Sequence, residues 1–391
     1  MNQIPLTLGY IPLVDAAPLI IARELGFAER EGLALTLRAA PSWSTLRDLV
    51  ALGQIEAAHM LAPVPVATAL GLGGLPSRLD ALCVLSVGGN TVGVSNELAA
   101  AMRAAGHDFD FADATAAGKA LIAAAGDRLR IGVPFPFSMH AELLYYWLGA
   151  LGLEAPQALD VHTVPPPLMA EALASGDVDA FCVGAPWGSI AVENGSGELL
   201  LPTSAIWAFA PEKVLAVRHD WAESEPDLAK RLIRCMWRAT RWLADRSNFV
   251  TASEILARPE YLNLPAELLE RSLTGQLTIS PRGEQRRVED YLHFHDGAAT
   301  FPWRSQAGWI AARLAARMGL DRASARRAAH SVFRSDLYRA ALAGLAVDLP
   351  GASEKLEGAL EQATEVPAQS GSLILHRDRF FDGQIFDPGA I

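Results

Sequence analysis

With 391 residues, half apolar and a fifth charged, the chain has room for two cores and the composition of a globular protein rather than a disordered or fibrous one. Its formal net charge of −11 argues against a nucleic-acid surface, because phosphate binding needs a net basic face. A small anion is not excluded, since distant surface charge is screened over about 8–10 Å and a few donors in a cleft outweigh it.

Strand and helix signals alternate through the first half, the pattern of an α/β protein with a mostly parallel sheet. Residues 6–11 predict a strand that runs through a polar turn at Asp15 into an amphipathic helix opening beside Pro18. Leu19, Ile20, Leu25 and Phe27 form the buried stripe of that helix. A strand ending at a helix N-terminus leaves backbone N–H groups free, which suits a small anionic or polar ligand. A strand over 33–38 and a helix over 44–52 follow, with Ser42 as its N-cap. The next strand, Ala57–Leu61, breaks at Pro63 and Pro65 into an alanine-rich helix ending near Gly71.

Residues 81–94 read as a strand pair around Gly88, Gly89 and Asn90, where the chain crosses to a second lobe. That lobe is expected to hold helices at Ala114–Ala125, 139–151 and 168–175, with strands at 130–133, 160–164 and 179–187. The chain returns to the first lobe over 199–217 and becomes mainly helical from Pro226, with strong apolar periodicity over 228–243. Cys83, Cys182 and Cys235 are odd in number and widely spaced, which predicts buried thiols rather than disulfides or zinc ligands. His293 and His295 would share one face of a strand, but no third ligand accompanies them and no metal site follows. The sequence has no nucleophile elbow, HExxH, P-loop or GxGxxG after a strand, so binding without catalysis is expected.

Eight segments, in order, resemble the solute-binding proteins of ABC nitrate and bicarbonate importers. They are GYIPLVDAAPLIIARELGFAEREGL (9–33), AAHMLAPVPVA (57–67), GVPFPFSMHAELLYYWLGALGL (132–153), DAFCVGAPW (179–187) and APEKVLAVRHDW (210–221), then ATFPWRSQAGW (299–309), FRSDLYRAA (333–341) and FFDGQIFDP (380–388). The resemblance implies a bilobal, periplasmic-binding-protein-like (type II) α/β fold with a hinge and a helical C-terminal extension. Residues 1–90 and 205–391 would form the first lobe and 91–204 the second. Nitrate or nitrite would lie in the cleft, with no cofactor and no resident metal.

A flat monovalent oxyanion needs a few in-plane donors, one compensating cation and apolar walls. The resemblance makes Lys213 that cation. It puts His140, just after Ser138 at a helix N-terminus, among the donors, with His59 and Met60 at the end of a strand. Gly184 and Pro186 would bring backbone close to the ligand. Importer proteins of this kind are exported behind a leader, whereas MNQIPLTLGYIP has no basic n-region, apolar h-region or cleavage pattern. The expectation is therefore a cytoplasmic chain, similar to the leaderless nitrate/nitrite sensors of the NasS type. Those sensors hold a NasT-type RNA-binding antiterminator until the anion releases it, so no direct nucleic-acid or membrane contact is expected. The alternative is the substrate-binding component of a nitrate or bicarbonate importer. A thiamine-precursor synthase of similar architecture would need a cysteine-rich iron motif that this sequence lacks.

Overall fold

The structure is a computed structural model that describes residues 3–74, 77–126 and 128–390. Met1 and Asn2, the start on which the expectation of a cytoplasmic chain rests, lie outside the described residues. Ten strands build the two sheets that matter for function: β1 (Ile4–Tyr10), β2 (Leu33–Ala39), β3 (Ala57–Leu61), β4 (Leu79–Gly88), β5 (Asn90–Ser95), β6 (Leu129–Val133), β7 (Leu159–Thr163), β8 (Ala180–Gly184), β9 (Gly197–Pro202) and β10 (Pro211–Arg218). The first sheet has the order β4-β10-β3-β1-β2, with the short strand Leu292–His293 added outside β4. The second has the order β7-β6-β8-β5-β9. The fold is thus the bilobal, periplasmic-binding-protein-like α/β arrangement.

Every residue of β3 and β4 is buried, as is all of β10 except its last. That explains their near-continuous apolar runs, because a strand covered on both faces has no solvent side to alternate with. Polar caps start several helices. Ser42 accepts from Thr45 N at 3.2 Å, Asp113 from Ala116 N at 3.0 Å and Ser138 from Ala141 N at 3.1 Å. The expected single stripe over residues 19–27 is two pieces, Ala17–Glu24 and Phe27–Arg30, interrupted at Gly26. A helix at Asn96–Ala104, capped by Ser95, has no counterpart in the sequence reading.

Two crossings join the sheets. At the first, Gly88 has φ +69°, and a Cβ there would lie 2.5 Å from the Tyr291 carbonyl oxygen. Only glycine allows that approach. Gly89 N then donates to Tyr291 O at 2.7 Å, and Tyr291 Oη donates back to Gly89 O at 3.1 Å. The second crossing, between β9 and β10, is braced by the C-terminal tail: Ala208 N donates to Arg379 O and Phe381 N to Ile206 O.

From Pro226 the chain forms helices at Pro226–Ala244, Phe249–Leu256, Ala266–Thr274, Arg304–Met318, Arg322–Ala329 and Ser335–Leu342. The expected helical extension stops there. Residues 343–390 are irregular apart from the hairpin Thr364–Pro367/Ser372–Leu375. The tail also reaches the second lobe, where Tyr146 Oη donates to Asp382 Oδ1 at 2.7 Å and its ring lies edge-on to Trp309, Phe380 and Phe381. Arg317 pairs with the buried Glu142 at 2.7 Å on the same helix, Met139–Ala150. The C-terminal part therefore grips both lobes.

Candidate functional site

Asp15, His59, His140, Glu212 and Lys213 meet in one cluster between the lobes, each with a side chain at most 3% exposed. Asp15 comes from the short 3-10 turn Val14–Ala16 after β1, His59 from β3, and Glu212 and Lys213 from the start of β10. His140 is the second residue of helix Met139–Ala150 in the other lobe. On the antiparallel pair Lys213 stands opposite Leu61 and Leu215 opposite His59. Strand alternation puts His59 and Lys213 on one face of the sheet and Met60 on the other. Met60 is buried, but on the face turned away from the cluster. Against β4 the ladder steps from Pro211 to Lys213 while β4 moves by one residue, from Val87 to Ser86. This bulge at Glu212 re-aims a side chain that regular pleating would send away from Lys213.

The contacts are short. Lys213 Nζ lies 2.9 Å from Asp15 Oδ2 and 2.8 Å from Glu212 Oε1, with the Trp43 ring 5.6 Å away. His59 Nε2 is 2.9 Å from Asp15 Oδ1, and His140 Nδ1 is 3.3 Å from Glu212 Oε1. An ammonium carries three donors; among the described residues two of them are engaged by carboxylates. Hydrogen bonds of ordinary geometry reach neither ring nitrogen of His140, nor His59 Nδ1, Trp43 Nε1, Asp15 Oδ2 (held only by the Lys213 ion pair), Glu212 Oε2 or the Asn90 amide. A buried polar group left without a partner costs about 1–3 kcal/mol. Such a concentration of them at one point is the mark of a site built for a polar guest.

Electrostatics sorts the cluster into charged and neutral members. Burial pushes the Asp15 carboxyl up, but Lys213 and then His59 outweigh it and hold Asp15 well below the usual carboxylate range. Burial depresses Lys213, and Asp15 and Glu212 more than restore it, so the ammonium is kept. Glu212 is raised above its ordinary value, chiefly by burial and further by Asp15, against the pull of Lys213. His140 falls well below 6.5 through burial, with Lys213 adding to the effect. His59 is lowered for the same first reason, against the attraction of Asp15. Both imidazoles are neutral at pH 7.

Gly184 and Pro186 sit where the lobes touch. A Cβ on Gly184 would come within 3.1 Å of Leu13, 3.3 Å of Asn90 Oδ1 and 3.9 Å of Asp15 Oδ2, so the missing side chain lets β8 approach the Asp15 turn. Val14 N donates to Ala185 O at 2.9 Å and Trp187 Nε1 to Pro12 O at 2.9 Å, which closes the cleft at this edge. Pro186 opens helix Trp187–Glu193 beside that seam. Ser138 uses its hydroxyl within its own turn, donating to Phe135 O at 2.7 Å and accepting from Ala141 N. It positions the helix that carries His140. Asp15, Trp43 and Asn90 complete the cluster although sequence reasoning placed none of them in the site, reading Asp15 as a turn residue and Asn90 as part of a crossing. The one available signal was a lone acid in the apolar run of residues 11–21. Glu212, next to Lys213 in the sequence, carries no local sign that both side chains are fully buried.

Other titratable groups fall into place elsewhere. Ligand atoms of Asp80, His219 and Glu223 lie close together, yet the Arg334 guanidinium bridges Asp80 at 3.0 Å and Glu223 at 2.6 Å and supplies the positive charge itself. His293 and His295 diverge, because the strand ends at His293: His293 stacks on His376, and His295 lies against Trp237 and Thr240. The three cysteines are free and buried, and burial pushes the Cys83 thiol up to about 12. Among the described residues no helix is long and apolar enough to cross a membrane.

A buried polar cluster between two α/β lobes with paired crossings fits a bilobal solute-binding protein. Residues 1–257 match the NMT1-like family, and the chain belongs to that family, among its nitrate- and bicarbonate-type solute-binding proteins. It is 30% identical to the nitrate/nitrite binding protein NrtA of Synechococcus elongatus over 395 residues, 98% of this chain and 83% of that one. The crystal structure of the periplasmic nitrate-binding protein NrtA from Synechocystis PCC 6803 matches with a TM-score of 0.83 and 28% identity, covering 99% of this chain and 96% of that one. The nitrate import ATP-binding protein NrtC of Synechocystis sp. is 31% identical over 318 residues, and the chain spans only 46% of its length.

Proposed function

We propose that the chain binds a monovalent oxyanion of the nitrate or nitrite kind between its lobes and performs no chemistry on it. One observation carries this reading: the enclosed Lys213 ammonium keeps a third donor free of the two carboxylates, among neutral N–H groups that have no partner. A flat ion with one delocalised charge can accept from several such donors in its plane. The names of the NrtA relatives support nitrate as the guest. Calorimetry with nitrate, nitrite and bicarbonate, with sulfate as a doubly charged control, tests it. Saturable heat with nitrate or nitrite and none with sulfate is expected. Silence with all the monovalent ions would end the reading.

The biological role proposed for this binding is a cytoplasmic sensor that sequesters a NasT-type antiterminator and releases it on taking the anion. The acidic balance supports it, since a chain of net charge −11 suits a protein partner and leaves RNA to that partner. Release requires that anion and partner favour different lobe arrangements, each by its own differential affinity. The likeness to NrtC, an import protein by name, favours a second reading as the binding component of an importer. Pull-downs from nitrate-starved and nitrate-fed cells separate the two. An antiterminator lost on nitrate feeding supports the sensor, and a membrane permease supports the importer.

A further inference from the structure

The charges of the cluster do not suit an anion as they stand. One ammonium, Lys213, faces two carboxyl groups, Asp15 and Glu212, and the imidazoles of His59 and His140 add no charge at neutral pH. With both carboxyls ionised the cluster carries one net negative charge before any guest arrives. With Glu212 protonated it is neutral, and Lys213 is free to answer the guest. We propose that this site takes up its oxyanion together with one proton, and that the proton is held on Glu212. The inference rests on the oxyanion reading above.

Geometry favours Glu212 over Asp15 as the acceptor. Asp15 faces a partner at both oxygens: His59 Nε2 hydrogen-bonds Oδ1 at 2.9 Å, and the Lys213 ammonium lies 2.9 Å from Oδ2 as an ion pair, without the alignment of a hydrogen bond. Glu212 receives Lys213 on Oε1 alone, while Oε2 is buried and no hydrogen bond of ordinary geometry reaches it. A buried carboxylate oxygen without a donor is costly, whereas the neutral acid has a proton to place there. The groups facing Glu212 come from four other elements. They are Asp15 on the N-terminal turn, His140 on helix Met139–Ala150, Asn90 on β5 and Cys182 on β8, with Lys213 beside it on β10. An incoming anion repels the Glu212 charge as Asp15 already does, so guest and proton strengthen each other's binding by the same factor.

The contact between Glu212 Oε1 and His140 Nδ1 at 3.3 Å gives the proton a second consequence. An ionised Glu212 favours the imidazole hydrogen on Nδ1 through its charge, although the pair is not aligned as a hydrogen bond. A neutral Glu212 releases it to Nε2, which is buried and without a protein partner, and so turns His140 into a donor for the guest. Charge neutralisation and a new donor arrive in one step.

Nitrate remains ionised throughout the accessible range, so any pH dependence of its binding belongs to the protein. Calorimetry of the native chain in buffers of different ionisation enthalpy, repeated at steps across the pH range in which the protein is folded, is expected to show proton uptake that rises towards one per nitrate inside the linked window, where Kd should rise about tenfold per pH unit. The window runs from the Glu212 pKa of the empty site up to its value with the anion bound; below and above it, affinity should be flat. Glu212→Gln, which fixes the neutral form, should bind nitrate with no proton uptake and a flat profile. Nitrate binding with a flat profile and no buffer dependence in the native chain would overturn the proton inference and leave the oxyanion reading standing. Uptake that persists in Glu212→Gln would move the proton to a histidine and overturn the assignment to Glu212. No nitrate heat at any pH would remove both. The native-chain titration needs no variant, so it decides even if Glu212→Gln folds poorly.

Discussion

Two clusters in this molecule have the same charged members and opposite uses. At Lys213 one ammonium meets Asp15 and Glu212; at Lys355 one ammonium meets Glu357 at 2.6 Å and Asp378. In both, the lysine is held above its ordinary value and the glutamate is raised by burial. The Lys355 cluster is closed: Ser305 Oγ donates to Glu357 Oε1 at 2.6 Å and Leu360 N to Asp378 Oδ1 at 2.8 Å. It ties the tail to helix Arg304–Met318 and offers nothing to a guest. The Lys213 cluster leaves His140, Trp43, Asn90 and one oxygen of Glu212 without partners. Charge inventory does not separate a clamp from a binding site; the hydrogen bonds left unmade do.

Substitutions can break the comparison at either end. Lys213→Met should have the largest effect, losing nitrate affinity beyond the range of calorimetry. It should also lower stability by about 3–5 kcal/mol, because it strands two buried carboxyls. Urea denaturation at pH 8 checks the second part, and a smaller deficit at pH 5 is expected as Glu212 takes a proton. Lys355→Met should lower stability by a similar ~3–5 kcal/mol and leave the nitrate Kd unchanged. A matching loss of affinity there would erase the distinction between the two clusters.

His140→Leu sharpens the contrast. It removes a buried imidazole that lacks protein partners, so the melting temperature of the empty protein should hold or rise, while nitrate binding weakens about tenfold. The smallest effect is on pH dependence away from the site. Burial lowers His295 to about 4 from its ordinary 6.5. The unfolded chain therefore binds that proton first, and stability falls as pH drops from 6.5 towards 4. His295→Gln should flatten that part of a urea-midpoint profile without moving nitrate affinity. An unchanged slope would mean that His59 and His140, lowered in the same direction, account for the fall.

Much of this was legible in the chain. Strand Ala57–Leu61 and helix Ala114–Ala125 follow from local apolar patterning and caps, and the turn between β4 and β5 uses the positive φ of Gly88 and Gly89. The residues of PEKV and FPFSMH could be singled out because each motif is continuous. Met60 could not be separated from His59 by sequence, because which face a strand turns inward is set by pairing with β10, about 150 residues away in sequence. The bulge at Glu212 is likewise a property of three strands together.

The alternation of strands and helices, the acidic balance and the placing of Lys213 at a strand start were determined by the sequence alone, since each depends on neighbours a few residues away. That Lys213 is buried, that Asp15 and Glu212 share it, and that an irregular tail buckles the two lobes were decided only by the tertiary structure. Burial and ion pairing act between groups brought together across 198 positions, from Asp15 to Lys213, and no local pattern encodes a contact of that range.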